Sequence, residues 1–173
     1  PAPNWLNRMI SRFDDPQVMG VKGIYRSEQS EYTARFVQTE YEWKYQFMSE
    51  FESIDFIDTY SAGFRRNVFL TLGGYDESFP GASVEDQEFS FRMHAEGHKM
   101  VFAQDAVVVH NHADNPWWYF RKKYNIGYWK VRVLRRHPNK MFRDTHTPQS
   151  LKFQIPISFL TALLLIALPW AGS

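Results

Sequence analysis

Apolar side chains fall at positions 5, 6, 9, 10 and 13, a spacing that predicts a short amphipathic helix over Trp5–Phe13. Asp14-Asp15-Pro16 ends it, because proline lacks the N–H donor and crowds the preceding turn. Val18–Tyr25 is mostly apolar and predicts a strand, with Gly20 and Gly23 marking close packing or ligand approach. Glu31–Phe51 predicts a long helix, its turns marked by Phe36, Glu40, Trp43 and Phe47. Ile54–Tyr60 predicts a short strand, and Arg65–Leu72 a short helix stopped by Gly73-Gly74. Ser83–Glu96 predicts an amphipathic helix with Gly97 at its C-terminus. Two strands, Lys99–Ala103 and Ala106–His110, flank Gln104-Asp105. Pro116–Arg136 predicts a basic, aromatic helix that begins on proline and ends at His137-Pro138.

The last segment, Leu151–Ser173, is the most apolar. Ile155–Ala171 is 17 residues without a charge and just meets the ~17-residue lower limit for a membrane span. Pro156 and Pro169 lie near its ends, and Trp170 suits a membrane interface. A buried core helix is the other reading. The basic aromatic helix upstream, a common neighbour of a bilayer surface, favours the span.

Composition narrows the class. The chain has 173 residues, enough for one domain with a real core. Hydrophobic content of 44% against 23% charged excludes a disordered chain. Fifteen Phe, nine Tyr and six Trp fit a Phe-rich core, a sugar-facing cleft or a membrane interface. Net charge of +1 excludes nothing, but its distribution is uneven. Asn115–Arg143 holds no acid while nine basic side chains run from Arg121 to Arg143, a surface for anionic lipid or phosphate. The absence of cysteine excludes disulfides and thiolate metal sites. The chain opens on loop material, Pro1-Ala2-Pro3-Asn4, and closes in or just after an apolar run, as a cut segment would.

Candidate chemistry centres on Ser83-Val84-Glu85-Asp86. As a capping box, Ser83 would be the N-cap and Asp86 the N3 residue, and the helix dipole would favour an acid there in any case. Capping leaves Glu85 and Glu88 unexplained. It also leaves unexplained the loop Phe79-Pro80-Gly81-Ala82, which would open the helix start to a cleft. At a strand end, His110 and His112 share a face, as a metal pair or as imidazoles bonded to backbone. The run His110-Asn111-His112 is a weak nuclease signal, and nucleic acid is not an expected partner. His94 and His98 share no metal face, because Gly97 ends the helix between them. Glu88 and Arg92 form a structural i,i+4 pair. Arg65 and Arg66 face phosphate or solvent. The aromatic-basic helix from Pro116 reads as interfacial.

The ordered series Tyr60-Ser61-Ala62-Gly63-Phe64-Arg65-Arg66, Gly73-Gly74-Tyr75-Asp76-Glu77, Glu85-Asp86 and Val107-Val108-Val109-His110 resembles the acceptor half of family 2 glycosyltransferases, which have the GT-A fold. The match covers Val18–His110 and extends more loosely through the C-terminal helices. The resemblance implies Asp86 as the catalytic base with Glu85 beside it. It implies Ser61, Ala62 and Gly63 as the small-residue loop near the acceptor, and Gly73 and Gly74 as the glycine stretch before the acidic pair. Arg132, Arg135 and Arg136 would reach a diphosphate or lipid headgroups. His110 would help hold a divalent metal, Mn or Mg. The Gln-x-x-Arg-Trp motif of processive members is lacking, which favours transfer of a single sugar. The family's donor-binding half, ending in an Asp-x-Asp-type metal motif, has no counterpart here, so most metal ligands would lie elsewhere.

The expected architecture is α/β: an incomplete GT-A domain, the C-terminal half of a Rossmann-like mixed sheet, over residues 1–114. A basic aromatic interfacial helix and linker follow over 115–146, then a truncated transmembrane helix over 147–173. The expected function is that of a fragment of a membrane-associated inverting glycosyltransferase serving cell-envelope polysaccharide, inactive alone. Its catalytic part would lie on the cytoplasmic side. Its partners would be a nucleotide-sugar donor, a lipid- or glycan-linked acceptor and the membrane. The alternative is a non-enzymatic membrane-surface domain that binds through the basic aromatic helix.

Overall fold

A computed structural model describes residues 1–167. In chain order the elements are α1 (Trp5–Ile10), β1 (Val18–Arg26), α2 (Tyr32–Met48), β2 (Ala62–Phe64), α3 (Arg66–Thr71), α4 (Glu85–Ala95), β3 (Lys99–Val109), α5 (Pro116–Arg136) and α6 (Gln149–Ala167). The architecture is mixed α/β around a small three-stranded sheet of order β2-β1-β3. β2 pairs antiparallel to β1, and β3 pairs parallel to it. The parallel pair requires a long crossover, which α2, α3 and α4 supply.

β1 is the central strand and is buried along almost its whole length. That explains its near-continuous apolar sequence, since both faces are covered. On one face Tyr45 and Met48 of α2, Val68 of α3 and Phe89 and Met93 of α4 pack against Ile24, Tyr25 and Met100. On the other, Met9 with Trp5 and Phe13 covers Val18, Val21, Ala103 and Ala106. A third cluster joins Phe79, Val84 and Phe91 to Val133, which fixes α5 against α4.

Three elements differ from the sequence expectation. Ile54–Asp58 is not a strand: Ile54 donates its N–H to the Met100 carbonyl at 2.8 Å, but the segment then turns into a 3-10 turn at Thr59–Ser61 and β2. Its side chains are buried because α4 lies across them, not because they pair in the sheet. The break expected at Gln104-Asp105 is a bulge inside one strand, seen as a register shift opposite Lys22 and Ile24. Arg12 Nη2 donates to Asp105 Oδ1 at 2.7 Å across that bulge. Finally, among the described residues no helix is long and apolar enough to cross a membrane. The expected transmembrane helix over 147–173 therefore lacks support. α6 carries Pro156 in its interior, and Lys152 pairs with Asp144 at 2.9 Å. Pro169 and Trp170 lie outside the described residues.

Arg65 faces neither phosphate nor open solvent. Its guanidinium donates to the carbonyls of Val18, Phe13 and Asp15 at 2.8, 2.8 and 3.2 Å, tying β2 to the start of β1. The Glu88–Arg92 pair is structural as expected: both Glu88 oxygens accept from Arg92 Nε at 3.0 Å, and Arg92 Nη2 donates to the Gly74 carbonyl at 2.7 Å.

Gly23 sits where β1, the Thr59–Ser61 turn and the β3 bulge converge. A Cβ there would overlap Ser61 Oγ and the Ala106 carbonyl oxygen. Gly23→Ala is therefore expected to destabilise by about 2–4 kcal/mol, because backbone cannot yield as a flexible side chain does. Urea unfolding checks this, and a loss below about 0.5 kcal/mol would contradict the packing described.

Candidate active site

A lysine in the central strand fixes the site's geometry. Lys22 is 0% exposed and Asp58 5% exposed. Lys22 Nζ donates to Asp58 Oδ2, with the Tyr45 and Phe56 rings at 5.9 and 5.5 Å from the ammonium. A buried charge without a partner costs several kcal/mol, so this pair holds the 54–58 segment onto β1. Ser90 of α4 ties it from above: Ser90 Oγ accepts from the Ile57 N–H at 3.0 Å and donates to the Asp86 carbonyl at 2.7 Å.

The first turn of α4 thus lies directly over this segment. Asp86 Oδ1 accepts from the Gln87 N–H at 2.7 Å and Oδ2 from the Thr59 N–H at 3.3 Å. The expected capping box does not form. The helix begins at Glu85 with Val84 as N-cap and no capping side chain. Instead Glu85 reaches back to accept from the Ser83 N–H at 2.7 Å, and Ser83 Oγ is buried without a partner. Asp86 satisfies a first-turn N–H but belongs to no capping box, and it lines a cleft of 670 Å³.

The helix start does not keep Asp86 strongly ionised, as the sequence suggested. Burial pushes its carboxyl up to about 7, and the negative charges of Asp58 and Glu85 push the same way. The N–H bonds from Gln87 and Thr59 oppose the shift without overcoming it. A carboxyl that titrates near neutral pH in a cleft suits general base catalysis.

Of the residues expected at the site, Glu85 and Asp86 line the cleft together. His110 closes β3 and donates its N–H to the Arg26 carbonyl at 2.9 Å. Its ring lies 4.0 Å from that of Tyr60, which lines the cleft. Burial and the Lys122 charge lower its pKa, and the Asp58 charge opposes them. His112 shares that side, with ring centroids 5.5 Å apart, but its Nε2 is bonded to Gln38 at 3.0 Å. Among the described residues no group of three acidic or imidazole side chains could hold a metal ion. The described residues therefore do not form a metal site by themselves.

The remaining expected residues lie away from the cleft. Ser61 Oγ is buried and accepts from Trp5 Nε1 at 2.8 Å. Ala62 and Gly63 pair with β1, and Gly63 packs on Phe13 and Met9. Gly73 and Gly74, at φ +80° and +67°, close α3 in the left-handed region where glycine is favoured. Arg132 bonds Ser78 Oγ at 3.0 Å, Arg136 bonds Asp76 at 2.6 Å, and Arg135 is exposed.

Sequence reasoning missed Asp58, Tyr60, Lys44 and His146, all of which line the cleft. The one available signal was Lys22, a charge inside an apolar strand that demands a buried acid nearby. Comparison with known proteins leaves the reading to the geometry: no family model matches the chain, and no curated protein matches it.

The Asp86 shift has a consequence for stability. Its folded value, about 7, exceeds the ordinary 3.8. Its contribution is complete below about pH 4 and is lost as pH rises through 7. Asp86→Asn, which mimics the neutral acid, should stabilise the fold progressively from about pH 4 to pH 8, by up to about 4 kcal/mol at the upper end. Thermal unfolding at both pH values checks this. An equal shift at both would show that Asp86 titrates normally.

Proposed function

We propose that the chain is the acceptor-side part of a membrane-associated inverting glycosyltransferase, as its motif series suggests. The enzyme would move a sugar from a nucleotide-sugar to an acceptor hydroxyl, with its catalytic part on the cytoplasmic side. The observation that carries this reading is Asp86: a carboxyl at the start of α4, facing a cleft and titrating near 7. In the reaction the acceptor hydroxyl gives its proton to an Asp86 oxygen. The acceptor oxygen bonds to the anomeric carbon from the face opposite the leaving group. The bond to the nucleoside diphosphate breaks, and its electron pair leaves on the diphosphate. Glu85 keeps Asp86 basic enough to act, because its charge opposes Asp86 ionisation.

A second reading, a non-enzymatic membrane-surface domain, is favoured by the outer faces of α5 and α6. Trp117 and Tyr124 are 66% and 67% exposed, and Phe159, Leu163 and Ile166 are exposed along α6. Such a surface suits a lipid interface and is compatible with either reading. Turnover separates them.

The test follows nucleoside diphosphate release in membranes carrying the protein, with manganese and a panel of nucleotide-sugars. One donor should support release, and Asp86→Asn should lower kcat about 10²–10⁴-fold. The wild-type kcat/KM should rise with pH through a midpoint near 7, since the base must be ionised. Equal release from wild type and variant would remove Asp86 as the base, and no release with any donor would favour the membrane-surface reading.

A further inference from the structure

The cleft has cationic lining that the proposed base does not use. Lys122, Lys123 and Lys130 of α5 line it, together with Lys44 of α2. Lys123 and Lys130 are two turns apart and share a helix face. Gly127 lies between them, and a Cβ there would meet no atom within 4 Å, so the wall is open at its middle.

The charge on this wall exceeds what the fold consumes. Lys44 and Lys123 share one acid, donating to Glu40 Oε1 at 2.6 and 2.7 Å. Lys122 Nζ bonds the Tyr60 hydroxyl at 3.2 Å. Among the described residues no carboxylate bonds to Lys122 or Lys130. Burial pulls the Lys130 ammonium below the ordinary lysine range, a cost that an anion would relieve.

A second observation points to a ligand here. His146 is 9% exposed, lines the same cleft, and its Nδ1 is buried with no partner. The residue is rigidly held. Its N–H donates to Asp144 Oδ1 at 3.0 Å, and the preceding Thr145 is clamped by Asp55, which accepts from its N–H and Oγ1 at 2.9 and 2.7 Å. Lys140 Nζ closes the clamp on Asp55 at 2.6 Å. An orphaned polar atom held this firmly is costly unless something binds it.

We propose that Lys122, Lys123, Lys130 and His146 form a phosphate-binding site in the cleft that Asp86 also lines. This rests on the transferase reading only for its meaning: the substrate that enters the cleft would carry a phosphate as well as the reacting group. Ammonium groups bind phosphate as point charges, and a neutral imidazole adds a directed hydrogen bond. Two sources share this chemistry, the diphosphate of a nucleotide donor and the phosphate of a lipid acceptor. Phe159 of α6 lines the same cleft beside the exposed apolar face of that helix, where a lipid chain would run.

The experiment measures binding by calorimetry, with no turnover needed. The probes are inorganic pyrophosphate, a nucleoside diphosphate and dihexanoyl phosphatidic acid below its micelle concentration. Lys122→Ala is at an exposed position and Lys130→Gln keeps the helix, so both should unfold as wild type does. The double variant should bind all three probes about tenfold or more weakly, since each lysine supplies a charge-assisted bond. Asp86→Asn, which removes a negative charge from the cleft, should bind them at least as tightly as wild type does. Tighter binding of the nucleotide than of pyrophosphate identifies the donor as the source, and tighter binding of the short lipid identifies the acceptor. No binding to wild type, or less than a twofold loss in the double variant, overturns the site. Because Asp86→Asn retains binding, loss of this inference and loss of the transferase reading give different results.

Discussion

The structure depends on a lysine ammonium buried in the middle of its central strand. Lys22 is fully enclosed, and the partner that makes its burial tolerable is Asp58. Replacing either alone would leave an uncompensated charge in the core. The pair draws the 54–58 segment across the sheet, and that segment carries the Thr59 N–H to Asp86 and Tyr60 to the cleft wall. The same carboxylate is the stronger of the two charges that oppose Asp86 ionisation. One ion pair therefore joins the folding of the sheet to the acidity of the cleft.

This coupling explains an apparent conflict at α4. A helix N-terminus favours a carboxylate anion, yet Asp86 titrates far above an ordinary aspartate. Burial and two neighbouring acids outweigh the dipole and two N–H donors. The arrangement is destabilising at neutral pH, and strain of this kind is expected where chemistry rather than stability sets the residue. The cleft also carries both signs of charge, with Glu85 and Asp86 at the start of α4 and Lys122, Lys123 and Lys130 along α5.

Most of the helices were legible because their signals are local. Asn115-Pro116 and His137-Pro138 bound α5, and Asn115 Oδ1 caps it by accepting from the Trp118 N–H at 3.1 Å. Gly97, at φ +78°, marks the end of α4 as read. What failed was set by tertiary contact. Ile54–Tyr60 has a strand's composition, but Asp58 must turn inward to Lys22, so the segment leaves the sheet. Ser83 has a capping residue's identity, but Glu85 takes the Ser83 N–H instead. At the site, Glu85 and Asp86 were visible as a motif. Lys44, Asp58 and His146 were not, because residues this far apart in sequence meet only when α2, the 54–58 segment and the 140–147 loop fold together. The basic run of α5 was read as a surface for lipid or phosphate. The fold turns part of it, Lys122, Lys123 and Lys130, into the cleft.

Burial and the Asp58–Glu85 field bring Asp86 to ionise near neutral pH. The most direct measurement is the titration of its side-chain carboxyl carbon by NMR in protein labelled with 13C at aspartate, assigned with Asp86→Asn. A midpoint near 7 is expected. A midpoint near 4, the ordinary aspartate range, would contradict it, because Asp86 would then be a solvated helix-start acid with no special chemistry.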